Sequence, residues 1–324
     1  MKYLTGRIVA FAALVGILAS CSSFQPAVDT AAPLRVAYAS RWGDYTMIVA
    51  EEGGFFTRYG VDVEPVYYAT SFDSLADLAA SHLDGGLMAI GDTVNVESHT
   101  GIKVVAVSDD GGFSTIVSTS GITIVSELKG RRIGVELGTS QELVVTQMLA
   151  AAGVQTSDVT LYNLHPEDVP SALGARVDAA FTWEPFASQA VARGNRVLYS
   201  SREGAGLSPT VIAFRQSVVE ARPDEIRSFL KAWFAATEFR KQNPDETRQM
   251  IANHYGLRTQ ELRIDPNMQL LGRDQNYPYF LQTNAANTLS LFTITRLNAE
   301  FLMRIGVLPD MPDLTAMLDS SYLK

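Results

Sequence analysis

The chain contains little cysteine and little histidine, which limits the covalent and metal chemistry it can perform. Of its 324 residues one is cysteine, Cys21, and four are histidine. A single cysteine cannot form a disulfide within the chain, and the histidines fall in none of the HExxH or HxH spacings typical of metal sites. The sequence also lacks a GxSxG motif, a Walker A loop and a GxGxxG fingerprint. We therefore predict no bound metal, no cofactor and no catalytic residue.

Basic runs and a second long apolar run are also missing. The formal net charge is −9, from 26 basic and 35 acidic residues. An acidic chain without a basic stripe is not expected to bind nucleic acid or to adhere to anionic lipid. After the N-terminal segment no stretch is apolar for long enough to span a bilayer. We predict a water-soluble body.

The first 21 residues have the pattern of an export signal. Lys2 and Arg7 precede an apolar run, Ile8–Leu18, and a small-residue site ends at Cys21. This order is typical of a secretory signal, and the cysteine after small residues resembles a bacterial lipobox, in which the thiol carries a diacylglycerol. An uncleaved anchor and ordinary signal cleavage are the alternatives. We predict a signal peptide at 1–20, lipidation at Cys21 and a linker at 21–33.

From residue 34 onward, short strands alternate with helices, and the alternation restarts near residue 113. Such alternation favours mostly parallel sheets covered by helices. We predict an α/β protein with lobe I at 34–112 plus 215–324, lobe II at 113–214, a hinge of two crossing segments and a helical tail. In that tail, Phe229, Trp233 and Phe234 have helical spacing, which predicts core packing.

Residues that follow the predicted strands are the candidates for ligand binding, because ligands of open parallel sheets bind beyond the carboxyl ends of the strands. The set combines hydroxyls, aromatic rings and acids, which suits a small polar ligand enclosed by two closing lobes. The candidates are Arg41, Trp42, Tyr45, Asp92, Asp110, Thr139, Ser140, Trp183 and Glu184.

Several of these candidates also have a purely structural explanation. Arg41 has the chemistry to pair with a sulfonate or carboxylate ligand, or with Asp44 of the same loop. Thr139 precedes a predicted helix whose N-terminus can hold an anion, or it only caps that helix together with Glu142. Trp183 either stacks on a ligand or fills the space between the lobes.

Four segments carry a resemblance to a known family. In chain order they are Arg41–Glu64, Leu83–Met88, Leu128–Val135 and Val177–Phe186. Together they resemble the nitrate, sulfonate, taurine and thiamin-pyrimidine group of periplasmic binding proteins. The resemblance covers roughly residues 34–251 and implies the two-lobed type II periplasmic-binding-protein fold.

The resemblance also implies a function and partners. A member of this group captures a small solute for an ABC importer, without being an enzyme, and its partners are a membrane permease and a cytoplasmic ATPase. We expect a monomer outside the cytoplasm, held to the membrane by the lipid on Cys21. Some members have a serine-rich patch where this chain has Asp109 and Asp110. The resemblance implies a solute that is sulfonate-like, taurine-like or a nitrogenous heterocycle. Because two carboxylates would repel an anion, Asp109 and Asp110 favour a nitrogenous or zwitterionic solute among these.

Two other functions fit the same fold. A sensory or accessory lipoprotein would bind a solute without transporting it. An enzyme that makes the thiamin pyrimidine is also known on this fold, but it carries a cysteine-rich run that this chain lacks.

Overall fold

The computed structural model describes residues 28–110, 115–200, 206–262, 268–281 and 289–324. The predicted signal peptide, Cys21 and most of the predicted linker lie outside these ranges. Within them, every helix is too short or too polar to traverse a bilayer.

The described residues form two β-sheets surrounded by helices. The strands are β1 (Leu34–Ala39), β2 (Val63–Tyr68), β3 (Gly85–Ala89), β4 (Ile102–Asp110), β5 (Thr115–Ser118), β6 (Arg132–Val135), β7 (Thr160–Asn163), β8 (Ala179–Thr182), β9 (Arg196–Ser200), β10 (Thr210–Arg215) and β11 (Gln269–Leu270). The α-helices are α1 (Thr46–Glu52), α2 (Phe55–Arg58), α3 (Leu75–Ala79), α4 (Ile90–Thr100), α5 (Ser140–Ala151), α6 (Val169–Ala172), α7 (Phe186–Ala192), α8 (Gln216–Ala221), α9 (Pro223–Gln242), α10 (Pro244–His254), α11 (Arg273–Leu281), α12 (Leu291–Arg304) and α13 (Leu314–Met317).

Both sheets are mixed, whereas the sequence pattern predicted mostly parallel sheets. The first has the order β11-β4-β10-β3-β1-β2 and the second β7-β6-β8-β5-β9. In the first, β1 is parallel to β2 and β3, but β10 is antiparallel to β3 and β4. In the second, β5 is antiparallel to β8 and β9. The chain reaches β5 from β4 of the first sheet and reaches β10 from β9 of the second sheet. Neither strand is joined to its own sheet by a helical crossover, so its direction need not be parallel.

The pairing of β10 places the end of lobe II earlier in the chain than the sequence predicted. The sequence placed residues 210–214 in lobe II, but Thr210–Arg215 pairs with β3 and β4 of the first sheet. The chain has therefore returned to lobe I before Thr210. The other predicted boundary, at 112/113, lies outside the described residues.

The segment after β1 forms two short helices rather than one continuous helix. α1 ends at Glu52, and α2 begins at Phe55. Gly54, between them, has φ of 68°, a left-handed conformation that glycine adopts without steric cost. Gly53 and Gly54 therefore separate the two helices.

The long helix α9 covers the first sheet with an aromatic cluster, as its spacing predicted. The Phe229 ring stacks on Phe56 at 5.4 Å and on Trp233 at 6.1 Å between centroids, and meets Phe214 edge-on. Phe229 and Trp233 are both completely buried. The core-packing prediction for this stripe is confirmed.

We predict that Phe229→Ala lowers the free energy of unfolding by about 3–5 kcal/mol, because it removes a fully buried ring and leaves a cavity. Urea unfolding followed by circular dichroism measures this change. The control is Phe292→Ala, since that ring is 42 % exposed, and it should cost about 1 kcal/mol or less. Equal losses in both variants would contradict the assignment of the core.

Candidate functional site

The loop after β1 is built on a buried ion pair. The Arg41 guanidinium lies 2.9 Å from the Asp44 carboxylate, and the two side chains are 5 % and 0 % exposed. Asp44 Oδ2 also accepts from the backbone N–H of Ala39 at 2.8 Å, and Arg41 donates to the carbonyl of Leu87 in β3. Of the two roles considered for Arg41, pairing within its own loop is the one present here.

A second arginine holds the same loop from α9. Arg240 donates to the carbonyls of Trp42 and Gly43 and to Thr46 Oγ1, at 2.8, 3.2 and 2.6 Å. Its guanidinium carbon lies 4.6 Å from the centroid of the Trp42 ring, a cation–π contact. Burial lowers the pKa of Arg240 to about 9. Ion pairs and hydrogen bonds thus fix the backbone at the carboxyl end of β1.

On the second sheet, the residues before α5 form the opposing wall. Thr139 caps α5, since its Oγ1 accepts from the N–H of Gln141. Glu142 accepts from the N–H of Gly138 at 2.8 Å, not from that of Thr139 as a capping box requires. Two amides at this helix end, those of Gly138 and Gln141, therefore already have side-chain acceptors.

Glu136 is a buried acid on this wall that the sequence analysis did not select. One of its oxygens accepts from Gln141 Nε2 and the other lies 2.8 Å from His165 Nδ1. Burial raises the pKa of Glu136, and the hydrogen bond to Glu136 raises the pKa of His165. Because Glu136 directly follows β6, the strand-end rule that selected the other candidates would have found it.

A small cavity of about 10 Å³ lies where the two walls meet, roughly the space that one water molecule occupies. The cleft is therefore closed in this structure. The lining residues come from the carboxyl ends of strands in both sheets and from the segment before β10. They are Ala39, Arg41, Ala69, Thr70, Ser71, Phe72, Ala89, Glu136, Gln141, Trp183 and Ser208.

Two further acids are buried at the carboxyl ends of β3 and β4. Asp92 is 4 % exposed and accepts from Ser71 Oγ at 3.3 Å. Burial, and then the charge of Glu136, raise the pKa of Asp92 to about 7. Burial also raises the pKa of Asp109 to about 7, although Arg41 opposes the shift. The cleft region therefore collects carboxylates in excess of its cations.

The structure brings four of the predicted residues to the cleft. Arg41 and Trp183 line the cavity, and Asp92 is bonded to the lining residue Ser71. Ser140 contacts Ser208 through their hydroxyls at 3.1 Å. Thr139 lies beside them, with its own hydroxyl donating to the carbonyl of Glu136.

The other predicted residues lie outside the cavity lining. Trp42 and Tyr45 pack edge to face at 5.9 Å, next to the loop that Arg240 holds. Asp110 accepts from the Tyr279 hydroxyl at 2.7 Å. Glu184 accepts from the N–H and hydroxyl of Ser188 in the first turn of α7. Within the described ranges no group of histidine, cysteine and acidic residues could hold a metal ion.

The comparisons with known proteins agree with this architecture. A family model described as NMT1/THI5 like matches residues 45–247. The chain belongs to the NMT1/THI5-like family. The family resemblance inferred from the sequence is thereby confirmed.

Relatives of this family include binding proteins. A candidate binding protein of Brucella abortus is 25 % identical over 238 residues, which cover 71 % of this chain and 74 % of the relative. A candidate aliphatic-sulfonate-binding protein of Bacillus subtilis is 25 % identical over 258 residues, 76 % of this chain and 77 % of the relative. The crystal structure of the periplasmic aliphatic sulphonate binding protein SsuA from Escherichia coli matches with a TM-score of 0.71 at 19 % identity, covering 88 % of this chain and 91 % of SsuA. The predicted two-lobed periplasmic-binding-protein fold is confirmed.

The two walls meet at a seam that has no room for a larger residue at Gly91. A Cβ on Gly91 would lie 2.8 Å from Ser140 Cβ of the opposing wall and 2.7 Å from Asn298 Oδ1. Real Cβ atoms essentially never approach other atoms this closely, so closure depends on this glycine.

We predict that Gly91→Ala holds the two walls apart. Its radius of gyration in X-ray scattering should increase, and its affinity for solute should fall about tenfold or more, as a loss of 1.4 kcal/mol would produce. Gly121→Ala is the matched control, because a Cβ there meets nothing within 4 Å. A Gly91→Ala protein as compact as the wild type would show that this seam does not limit closure.

We predict that stability falls as the pH rises through the neutral range. The pKa of Asp92 is raised in the folded protein, so the folded state binds its proton more tightly than the unfolded state. The stabilisation is complete below about pH 4, the usual aspartate pKa, and is lost as the pH approaches 7. Asp109 and His165 shift in the same direction.

Denaturant unfolding at pH 5, 6, 7 and 8 measures this slope, to which one group adds at most about 1.4 kcal/mol per pH unit. Asp92→Asn should flatten it. Asp224→Asn, which changes an exposed carboxylate, should leave it unchanged. A slope identical in wild type and Asp92→Asn would contradict the proton linkage.

Proposed function

We propose that this protein is the extracytoplasmic solute-binding component of an ABC importer, and that it captures a small polar organic solute between its two lobes. The observation that carries the proposal is the cavity whose walls come from both sheets, with polar and aromatic groups on each side. The names of the relatives in Bacillus subtilis and Escherichia coli, which refer to sulfonate binding, support a role in solute binding.

The mechanism begins with separation of the walls, since a cavity of about 10 Å³ cannot hold an organic solute. The solute first meets the lobe I groups around Arg41 and Ser71. Closure then adds Glu136, Gln141 and Trp183 from lobe II. A solute that touches both walls binds the closed state better than the open state, so it shifts the population toward closure.

The proposal assigns membrane anchoring to the N-terminal segment. Lipidation at Cys21 would hold the protein at the membrane, with the residues before Val28 as a tether. The protein would act as a monomer that presents its closed form to a permease, whose ATPase drives uptake. Radiolabelled palmitate incorporation into wild type but not into Cys21→Ser tests the anchor.

A solute panel tests the binding function. We expect one class among sulfonates, taurine, nitrate, pyrimidines, purines and small amines to raise the melting temperature, since a ligand at a hundred times its dissociation constant adds about 2.7 kcal/mol. Trp183→Ala should weaken that binding about tenfold or more, because its ring lines the cavity. Tyr162→Ala, at an exposed ring of the same sheet, is the control. Unchanged affinity in Trp183→Ala would contradict the lobe II part of the site.

A further inference from the structure

We propose that the solute presents a positively charged nitrogen group with several N–H donors, and that this group binds between Asp92 of lobe I and Glu136 of lobe II. The inference rests on the proposed function and specifies the charge of the solute.

The cation at the cavity is already neutralised by an ion pair. Among the cavity-lining residues that the structure describes, Arg41 is the one basic residue. Its guanidinium is paired with the fully buried Asp44. An anionic solute would have to compete with this pair and approach Asp92 and Glu136 as well, and like charges at a buried site are costly.

Near the cleft, buried hydrogen-bond acceptors among the described residues lack donors. Gln141 Oε1 lies buried beside the cavity with no hydrogen-bond partner among the residues that the structure describes. Asp109 lies outside the cavity lining, is 3 % exposed and is hydrogen-bonded by Thr210, but within the same described ranges its Oδ2 has no partner. That oxygen faces the Arg41 loop, because a Cβ on Gly43 would collide with it.

Unpartnered buried acceptors cost free energy until a donor reaches them. A sulfonate, nitrate or carboxylate offers only acceptors, whereas an ammonium or amidinium group offers only donors. The unsatisfied Gln141 Oε1 at the cavity therefore matches a cationic nitrogen group and does not match an oxyanion.

The N-terminus of α5 is a weaker anion site than the sequence indicated. The N-terminus of α5 was a candidate anion site in the sequence. Its amides at Gly138 and Gln141 are occupied by Glu142 and Thr139. An oxyanion that used these two amides would have to displace their present acceptors.

The charges also explain how such a solute would drive closure. Asp92 faces Glu136, Arg41 and Ser71. Glu136 accepts from Gln141 and is paired with His165, but that imidazole is 52 % exposed, so water screens its charge far more than it screens the buried pair of Arg41 and Asp44. At pH 7.5, which is above the raised pKa of Asp92, the two acids from opposite lobes repel each other in the empty closed protein. A cation between them replaces the repulsion by two attractions that exist only when the walls meet, so it favours the closed state.

A set of isosteric probes tests the charge directly. Benzamidinium, benzamide and benzoate have nearly the same planar shape and differ in charge; acetamidinium, acetamide and acetate repeat the comparison without the ring. Binding is measured by titration at constant ionic strength and pH 7.5. In at least one series we expect the amidinium to bind at least about tenfold more tightly than the neutral amide, and the carboxylate to bind most weakly.

Two variants test whether Asp92 and Glu136 cause the preference for the amidinium. Asp92→Asn and Glu136→Gln should each remove the preference for the amidinium, and using one acid from each lobe guards against a variant that fails to fold. Glu64→Gln is the matched control, because Glu64 is an exposed acid paired with Arg35 in lobe I. It should keep the preference of the wild type.

A carboxylate that binds as tightly as its amidinium would overturn the inference, as would the absence of binding in both series or a preference that survives both cleft variants. The solute panel judges the proposed function separately. If an oxyanion from that panel binds and depends on Trp183, the protein is a solute receptor and the inference about charge is wrong.

Discussion

The buried ion pair between Arg41 and Asp44 is the interaction on which the cleft depends. Asp44 binds the backbone of Ala39 at the end of β1, and Arg41 reaches the carbonyl of Leu87 in β3, so the pair ties two strand ends together. Removing either partner would leave an uncompensated buried charge, which typically costs about 3–5 kcal/mol. Because the pair also neutralises the cation at the cavity, the remaining acids determine the electrostatic character of the site.

Much of the fold could be predicted from local pattern. The alternation of strands and helices indicated two α/β units, and the aromatic spacing of α9 predicted its buried face. The antiparallel placement of β5 and β10 could not be predicted, because strand direction depends on long-range pairing that leaves no local periodicity. The position of β10 in the first sheet is a consequence of the same pairing.

The candidate site was predictable in its location and only in part in its residues. The rule that ligands bind beyond strand ends led to Arg41, Asp92 and Trp183. The same rule gave Glu184, but whether an acid points to the cleft or binds its own helix depends on side-chain geometry. Glu136 follows β6 directly but was not predicted, because the prediction for this strand end rested on the hydroxyl residues that begin α5. Which acid an arginine pairs with, such as Asp44 for Arg41, depends on the folded geometry and cannot be read from the sequence.

The central claim is that one solute touches both lobes at the cleft. Hydrogen exchange measured by mass spectrometry, with and without the solute that binds best, tests it most directly because it reports local opening along the whole chain. The account predicts increased protection in peptides from both walls, around Arg41 and Ser71 in lobe I and around Glu136 and Trp183 in lobe II. Protection confined to one lobe, or centred on the outer surface of α9 away from the cleft, would contradict it.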